Sequence, residues 1–162
     1  MRSTAQSRTL AVVVALMTVV LCGCSFLGVP PYSTQDYQAI HAAAEQGDLP
    51  TVERLIDAHP KLIEARDWRR FTPLQLAAYH GHTDVVEYLA SKGANINAIN
   101  QDGLTALHLA ALSGFKDTVL ALLSHGAAVN ARDADGLTPL VRAKQRQHTD
   151  IVELLRQQGG HE

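Results

Sequence analysis

The residues best suited to metal ligation or proton transfer in this chain are its eight histidines. His80 and His82 stand two apart across Gly81, His108 lies between two leucines, and His161 precedes Glu162. A zinc site needs three or four converging donors, and a general base needs a group within reach to act on. No paired-cysteine motif, Gly-rich phosphate loop, nucleophile elbow or haem-attachment motif accompanies them. The acids have simpler explanations. Asp102, Asp133 and Asp135 sit where turns are expected, and Asp48 and Asp84 head helices, where a carboxylate interacts favourably with the helix dipole. His125 and His148 read as surface positions. The chemistry-bearing residues therefore predict no cofactor, no bound metal and no small-molecule substrate. A metal-dependent accessory enzyme built on His80, His82 and His108 is the alternative.

The elements that must position these groups come from repetition. Residues 71–103 and 104–136 are two copies of one 33-residue unit, identical at 16 of 33 positions. Thr72 and Thr105, Leu74 and Leu107, Leu76-Ala77-Ala78 and Leu109-Ala110-Ala111, Gly81 and Gly114, and Gly103 and Gly136 recur in register. Thr72-Pro73 opens a first helix, with Pro at a position that needs no donor, and Leu74, Leu76 and Ala77 give it an apolar stripe. Gly81 breaks the chain. A second helix follows from near Thr83-Asp84, carries Val85, Val86 and Leu89 inward, and ends at Gly93 in the left-handed conformation that satisfies its last carbonyls. Asp102-Gly103 closes a tight hairpin turn.

This period and its opening resemble the ankyrin repeat. The resemblance implies an all-α solenoid of about four stacked helix-turn-helix units with β-hairpin-like loops. It also implies that His108 supports hydrogen bonds in the hairpin and that the Gly-His pair at 81–82 is structural. With an offset of 34, Ile40, Ala43-Ala44, Gly47, Val52 and Leu55 fall on the same register, so residues 37–70 form an N-terminal repeat with one inserted residue near His59-Pro60 and no cap glycine. Residues 137–162 form a C-terminal repeat in which Arg142, Lys144 and Gln147 replace Leu, Ala and Gly, changes that suit a face exposed to water.

Residues 1–9 contain Arg2 and Arg8 and no acid, and Leu10 to Leu21 is apolar but for Thr18, which reads as a secretory signal peptide too short for a membrane span. The sequence Leu21-Cys22-Gly23-Cys24 resembles a bacterial lipobox. That resemblance implies cleavage after residue 23, acylation of Cys24 by a lipid such as palmitate, and a location in the bacterial envelope facing the periplasm. Ser25 in place of an aspartate favours the outer membrane. The competing reading is a plain signal peptide or an uncleaved anchor. Residues 24–36, with Gly28 and Pro30-Pro31, would let the domain float on the order of 20 Å from the bilayer. Both cysteines lie at this boundary, so the repeats contain no thiol and depend on stacking for stability. Without its first 23 residues the chain keeps 12 basic and 16 acidic residues, which argues against a nucleic-acid partner.

The resemblance places ligand contacts on the hairpin tips and the exposed side of the first helices. The residues there are Arg66, Trp68, Arg69, Phe71, Tyr79 and His80, continued by Leu112 and Ser113 and by Arg146. Arg70 joins them, since it stands where Gly103 and Gly136 stand and predicts a different turn. Trp, Tyr and Arg dominate interface hot spots, and Trp68 is the chain's only tryptophan. In the competing arrangement Trp68 and Phe71 pack under the first repeat. The expected partner is another protein with a carboxylate-bearing, partly apolar surface, met by a monomer. Periplasmic ankyrin proteins that support an oxidant-defence enzyme such as catalase are similar, as are small lipoproteins that neutralise a periplasm-delivered toxin. An envelope-structural role, binding cell-wall or outer-membrane components, is the other alternative.

Overall fold

A computed structural model describes residues 33–162. Thr34 to Glu162 forms one unit of eight α-helices and one 3-10 helix, with no strand among the described residues. The helices are α1 (Thr34–Gln46), α2 (Leu49–Ala58), α3 (Pro73–His80), α4 (Thr83–Ser91), α5 (Ala106–Ser113), α6 (Lys116–Ser124), α7 (Pro139–Gln145) and α8 (Thr149–Gln157). The 3-10 helix, Pro60–Glu64, takes up the irregular junction after the first pair. Odd-numbered helices stack on one another along the unit, even-numbered helices do the same, and each pair closes on itself.

Local chemistry explains each start. In α3 the Thr72 hydroxyl accepts from Gln75 N while the Gln75 side chain accepts from Thr72 N, so two orphan donors are satisfied reciprocally. Thr105 and His108 repeat the arrangement in α5. At α7 the third position is Val141, so Thr138 forms no such pair, and its hydroxyl donates instead to His161 O at 2.8 Å. Asp48 caps α2 through Thr51 N, as its position predicts.

A ring seated on a glycine fixes the spacing of the pairs. At the elbow of the second pair, Gly81 has φ 78°, and a β-carbon there would drive into the Phe115 ring of the third pair. The same contact joins His82 to Gly47 and His148 to Gly114. Both histidines also hydrogen-bond back to the preceding pair, His82 Nε2 to Glu45 O at 2.9 Å and His148 Nε2 to Leu112 O at 3.2 Å. His148 is thus half-buried, not the surface residue its sequence context suggested, because the ring must reach the glycine. At the fourth elbow Gln147 stands in place of glycine and still adopts φ 63°.

The core is aliphatic and continuous, running through Ile40, Leu55, Leu74, Leu89, Leu107, Leu122, Leu140, Ile151 and Leu155, none more than 1% exposed. Burial at roughly 25 cal/mol per Å² of apolar surface supplies the main driving force, since the repeats carry no cysteine.

Candidate protein-binding surface

The pairs are joined by three fingers, each built on an acid or amide that gathers backbone donors. Asp67 Oδ1 accepts from Arg69 N and Phe71 N at 2.9 and 2.7 Å. Asn100 Oδ1 accepts from Asp102 N and Leu104 N, both at 2.9 Å, and Asp133 Oδ1 from Asp135 N and Leu137 N, both at 3.0 Å. The organising residues are therefore Asp67, Asn100 and Asp133 rather than the Asp102 and Asp135 of the turn tips. Neighbouring fingers are linked through Gln101 N to Arg69 O and Ala134 N to Asp102 O.

Arg70 corrects an expectation. Its φ of 66° matches the 73° of Gly103 and 75° of Gly136, and its N–H closes on Asp67 O as theirs close on Asn100 O and Asp133 O. The first finger therefore makes the same turn as the others and holds a non-glycine residue in the left-handed region to do so. Phe71 is a second correction. It is buried, 7% exposed, because it occupies the finger base where Leu104 and Leu137 stand, and its backbone pairs with Asp67. Trp68 separates from it and is 86% exposed. The Arg69 guanidinium lies 5.2 Å from the Trp68 ring and 4.7 Å from the Phe71 ring, a cation-π arrangement.

The ten partner-facing residues fall into separate places. Tyr79, His80, Leu112, Ser113 and Arg146 line one open cleft of about 560 Å³ together with Phe115 and His148. Tyr79 is 43% exposed there and meets the His80 ring edge-on at 5.0 Å, while His80 Nε2 lies 3.6 Å from the Glu45 carboxylate. Trp68 and Arg69 border a second cleft of about 470 Å³ with Tyr37, Gln38, His41, Ala42 and Glu45. Arg70 belongs to a third surface between the fingers, with Ile99, Gln101 and Arg132. Arg66 folds along the fingers: its guanidinium donates to Arg70 O and Ile99 O at 3.2 and 2.7 Å, so it braces them at the surface.

The contribution of α1 went unseen in the sequence. Glu45 stands at offset 34 from Tyr79, so the register already marked it as a first-helix surface position. Phe115 was missed as well, and its signal was the equivalence with His82 and His148 at 33-residue intervals.

His41, His82, His108 and His148 are occupied structurally. His108 is buried; its Nδ1 accepts from Thr105 N and its Nε2 donates to Leu137 O at 3.1 Å. Burial holds the imidazole below its ordinary pKa, outweighing the Leu137 carbonyl and Asp133, so it is neutral and ties α5 to the third finger. His41 bridges Tyr37 O and Ala65 O. Among the described residues no three His, Cys, Asp or Glu side chains gather in a way that would hold a metal.

At the C-terminal pair, Arg142 donates through Nε to Asp133 Oδ2 and through Nη2 to Asp135 Oδ2, both at 2.7 Å. Burial alone would raise the Asp133 carboxyl, but the Arg142 hydrogen bond and the Leu137 N–H leave it below the usual carboxylate range. Lys144 pairs with Glu162. These residues close the end of the stack and present little free charge.

Cys24, the cleavage after residue 23 and most of the tether lie outside the described residues. The first helix begins at Thr34, ahead of the repeat boundary at 37 read from register. No helix among the described residues is long and apolar enough to cross a membrane.

Comparison with known proteins agrees with this geometry. The chain is 44% identical over 57 residues to ankyrin repeat domain-containing protein 49 of Bos taurus, covering 35% of this chain and 24% of that protein. It is 44% identical over 55 residues to the serine/threonine-protein kinase VIK of Arabidopsis thaliana, 34% of this chain and 13% of that one. It is also 40% identical over 62 residues to alpha-latrocrustotoxin-Lt1a of Latrodectus tredecimguttatus, 38% of this chain and 4% of the toxin. The chain thus spans a quarter or less of these relatives. Ankyrin repeats are protein-protein interaction modules. The family model for ankyrin repeats (3 copies) matches residues 5–100 and 92–162, and with the capping boxes, elbow glycines and Asx-held fingers this places the chain in the ankyrin-repeat family.

Proposed function

We propose that this protein is a non-enzymatic binding module, held to the bacterial envelope by a lipid on Cys24, that captures another protein in the periplasm. The observation that supports the binding role is the cleft where Tyr79, Leu112, Ser113, Phe115 and Arg146 meet. Exposed aromatic and aliphatic carbon lies there beside a guanidinium that pairs with no acid among the described residues. A partner that offers a carboxylate flanked by apolar side chains fits this arrangement, with Arg146 meeting the acid and Tyr79 supplying contact area at low entropic cost. An accessory role beside an oxidant-defence enzyme and immunity against a periplasm-delivered toxin both use such a surface.

Capture from native membranes after mild crosslinking tests this reading. One abundant partner, lost when Tyr79→Ala is combined with Arg146→Glu at unchanged melting temperature, is the expected result. Equal capture by the variant would move the interface elsewhere. Separately, Cys24→Ser should release the protein from membranes, and unchanged fractionation would sink the lipid anchor.

A further inference from the structure

We propose that the turn bearing Trp68, Arg69 and Arg70 is a membrane-contact element, resting on an anionic lipid surface as a second attachment beside the N-terminal anchor. The proposal builds on the anchored reading above. It shares no residue with the cleft assigned there to a protein partner.

Trp68 is the most exposed large apolar side chain of the described residues, twice as exposed as Tyr79. The Asp67 carboxylate fixes the turn beneath it, and Arg69 O accepts from Gln101 N, so the ring is presented from a braced loop rather than a loose one. Arg69 and Arg70 are both exposed, and among the described residues no carboxylate comes within ion-pair distance of either. Asp67, the nearest acid in the turn, spends one oxygen on the two backbone N–H groups of the loop. An indole with the Arg69 guanidinium against it and a second exposed arginine in the same turn matches the bilayer interface, where Trp sits at headgroup depth and Arg meets lipid phosphate.

Position supports the choice of a lipid surface over a second protein. The Arg66 N–H donates to the Tyr37 hydroxyl at 3.0 Å, which brings the base of this turn against the first turns of α1. Nine residues lie between Cys24 and Thr34, so the ten steps from one to the other span at most about 35 Å when fully extended. A lipid on Cys24 therefore keeps the start of α1, and the Trp68 turn next to it, close to the bilayer. A ring this exposed also needs no shaped pocket in what it meets.

Because Trp68 is the only tryptophan, its fluorescence reports this turn alone. The acylated full-length protein would be reconstituted into phosphatidylcholine vesicles with and without phosphatidylglycerol, using acyl chains brominated near the headgroup. In anionic vesicles the emission should move to shorter wavelength and be strongly quenched, and added salt should reverse much of this. Arg69→Glu with Arg70→Glu should still float with the vesicles yet emit as a water-exposed indole. Wild-type protein that floats while Trp68 stays water-exposed and unquenched overturns the membrane contact alone and returns Trp68 to a protein partner. Protein that does not float at all overturns the anchored reading and this proposal with it.

Discussion

At Asp67 and at Asp133 one carboxylate oxygen gathers the same two backbone donors, but the residue that the following helix offers it differs: Leu76 in α3, Arg142 in α7. At the first corner the arginine of the turn, Arg69, is left over the Trp68 and Phe71 rings, and no acid holds it. At the last corner the arginine is drawn between Asp133 and Asp135, and the acid side chain is fully buried. One turn thus serves two purposes. Where charge is locked between acids it completes a fold, and where it lies on aromatic rings it remains available to something outside.

The strongest way to break this comparison is at Asp133. Asp133→Ala removes two turn hydrogen bonds and strands a half-buried guanidinium, so it should cost about 3 kcal/mol, against about 1–2 kcal/mol for Asp67→Ala, read by urea unfolding. Equal losses would show the Arg142 pairing to be incidental. Arg142→Leu should itself destabilise by leaving Asp133 buried and unpaired. Adding Asp133→Asn, the amide and leucine of the middle corner at Asn100 and Leu109, should recover most of that loss, giving a coupling above about 1 kcal/mol in a double-mutant cycle.

A second contrast lies between the two internal repeats, where Gln75 and His108 fill the same capping position. The folded chain keeps His108 neutral below the pH at which the unfolded chain takes up its proton, ~6.5. The unfolded state therefore binds more protons there, and stability must fall as pH drops from ~6.5 toward the lowered folded value. His108→Gln should flatten that decline while keeping the box, which thermal melts between neutral and mildly acidic pH would reveal. The Asp133 contribution has the same sign in a lower range: it is present above the ordinary carboxylate value and is lost only as pH falls through its depressed one. An unchanged acid decline in the glutamine variant would show that His108 does not carry the sensitivity.

The helical pattern was legible because it is local. The helix-opening threonines, elbow glycines and the apolar stripes all lie within one unit and repeat in register. The surface was less so. Whether Phe71 or Trp68 turned inward depends on the finger base meeting α3, although Leu104 and Leu137 in the register of Phe71 already favoured its burial. Arg142 was read as a solvent-facing change, and its two acids, seven and nine residues earlier, belong to a finger whose fold decides the pairing. Arg70 shows the reverse error: its register with Gly103 and Gly136 signalled the same turn, and residue type argued against it.

Arg70 also gives the smallest expected effect. Arg70→Gly should stabilise the first finger by about 1 kcal/mol, since glycine adopts the left-handed region without the strain of a β-carbon. If it does not, the cation must contribute to the fold as Arg142 does, and the contrast between the two corners would weaken. Its effect on Trp68 fluorescence with anionic vesicles would separate that loss of charge from the change in backbone.

The ring-on-glycine elbow carries a consequence for how such a chain changes length. Residues 82–114 begin with the ring that sits on Gly47 and end with the glycine that receives the ring of His148. Duplicating that segment would place His82 of the new copy against Gly114 of the old, and the joint would be formed by parts that already fit. Recombination in this window is therefore nearly silent for the core while it lengthens the face that meets partners by one unit. A protein carrying the duplication should melt at a higher temperature, as stacked units add their interface energies. Breadth of recognition in this molecule is a quantity that gene duplication can adjust in steps of 33 residues.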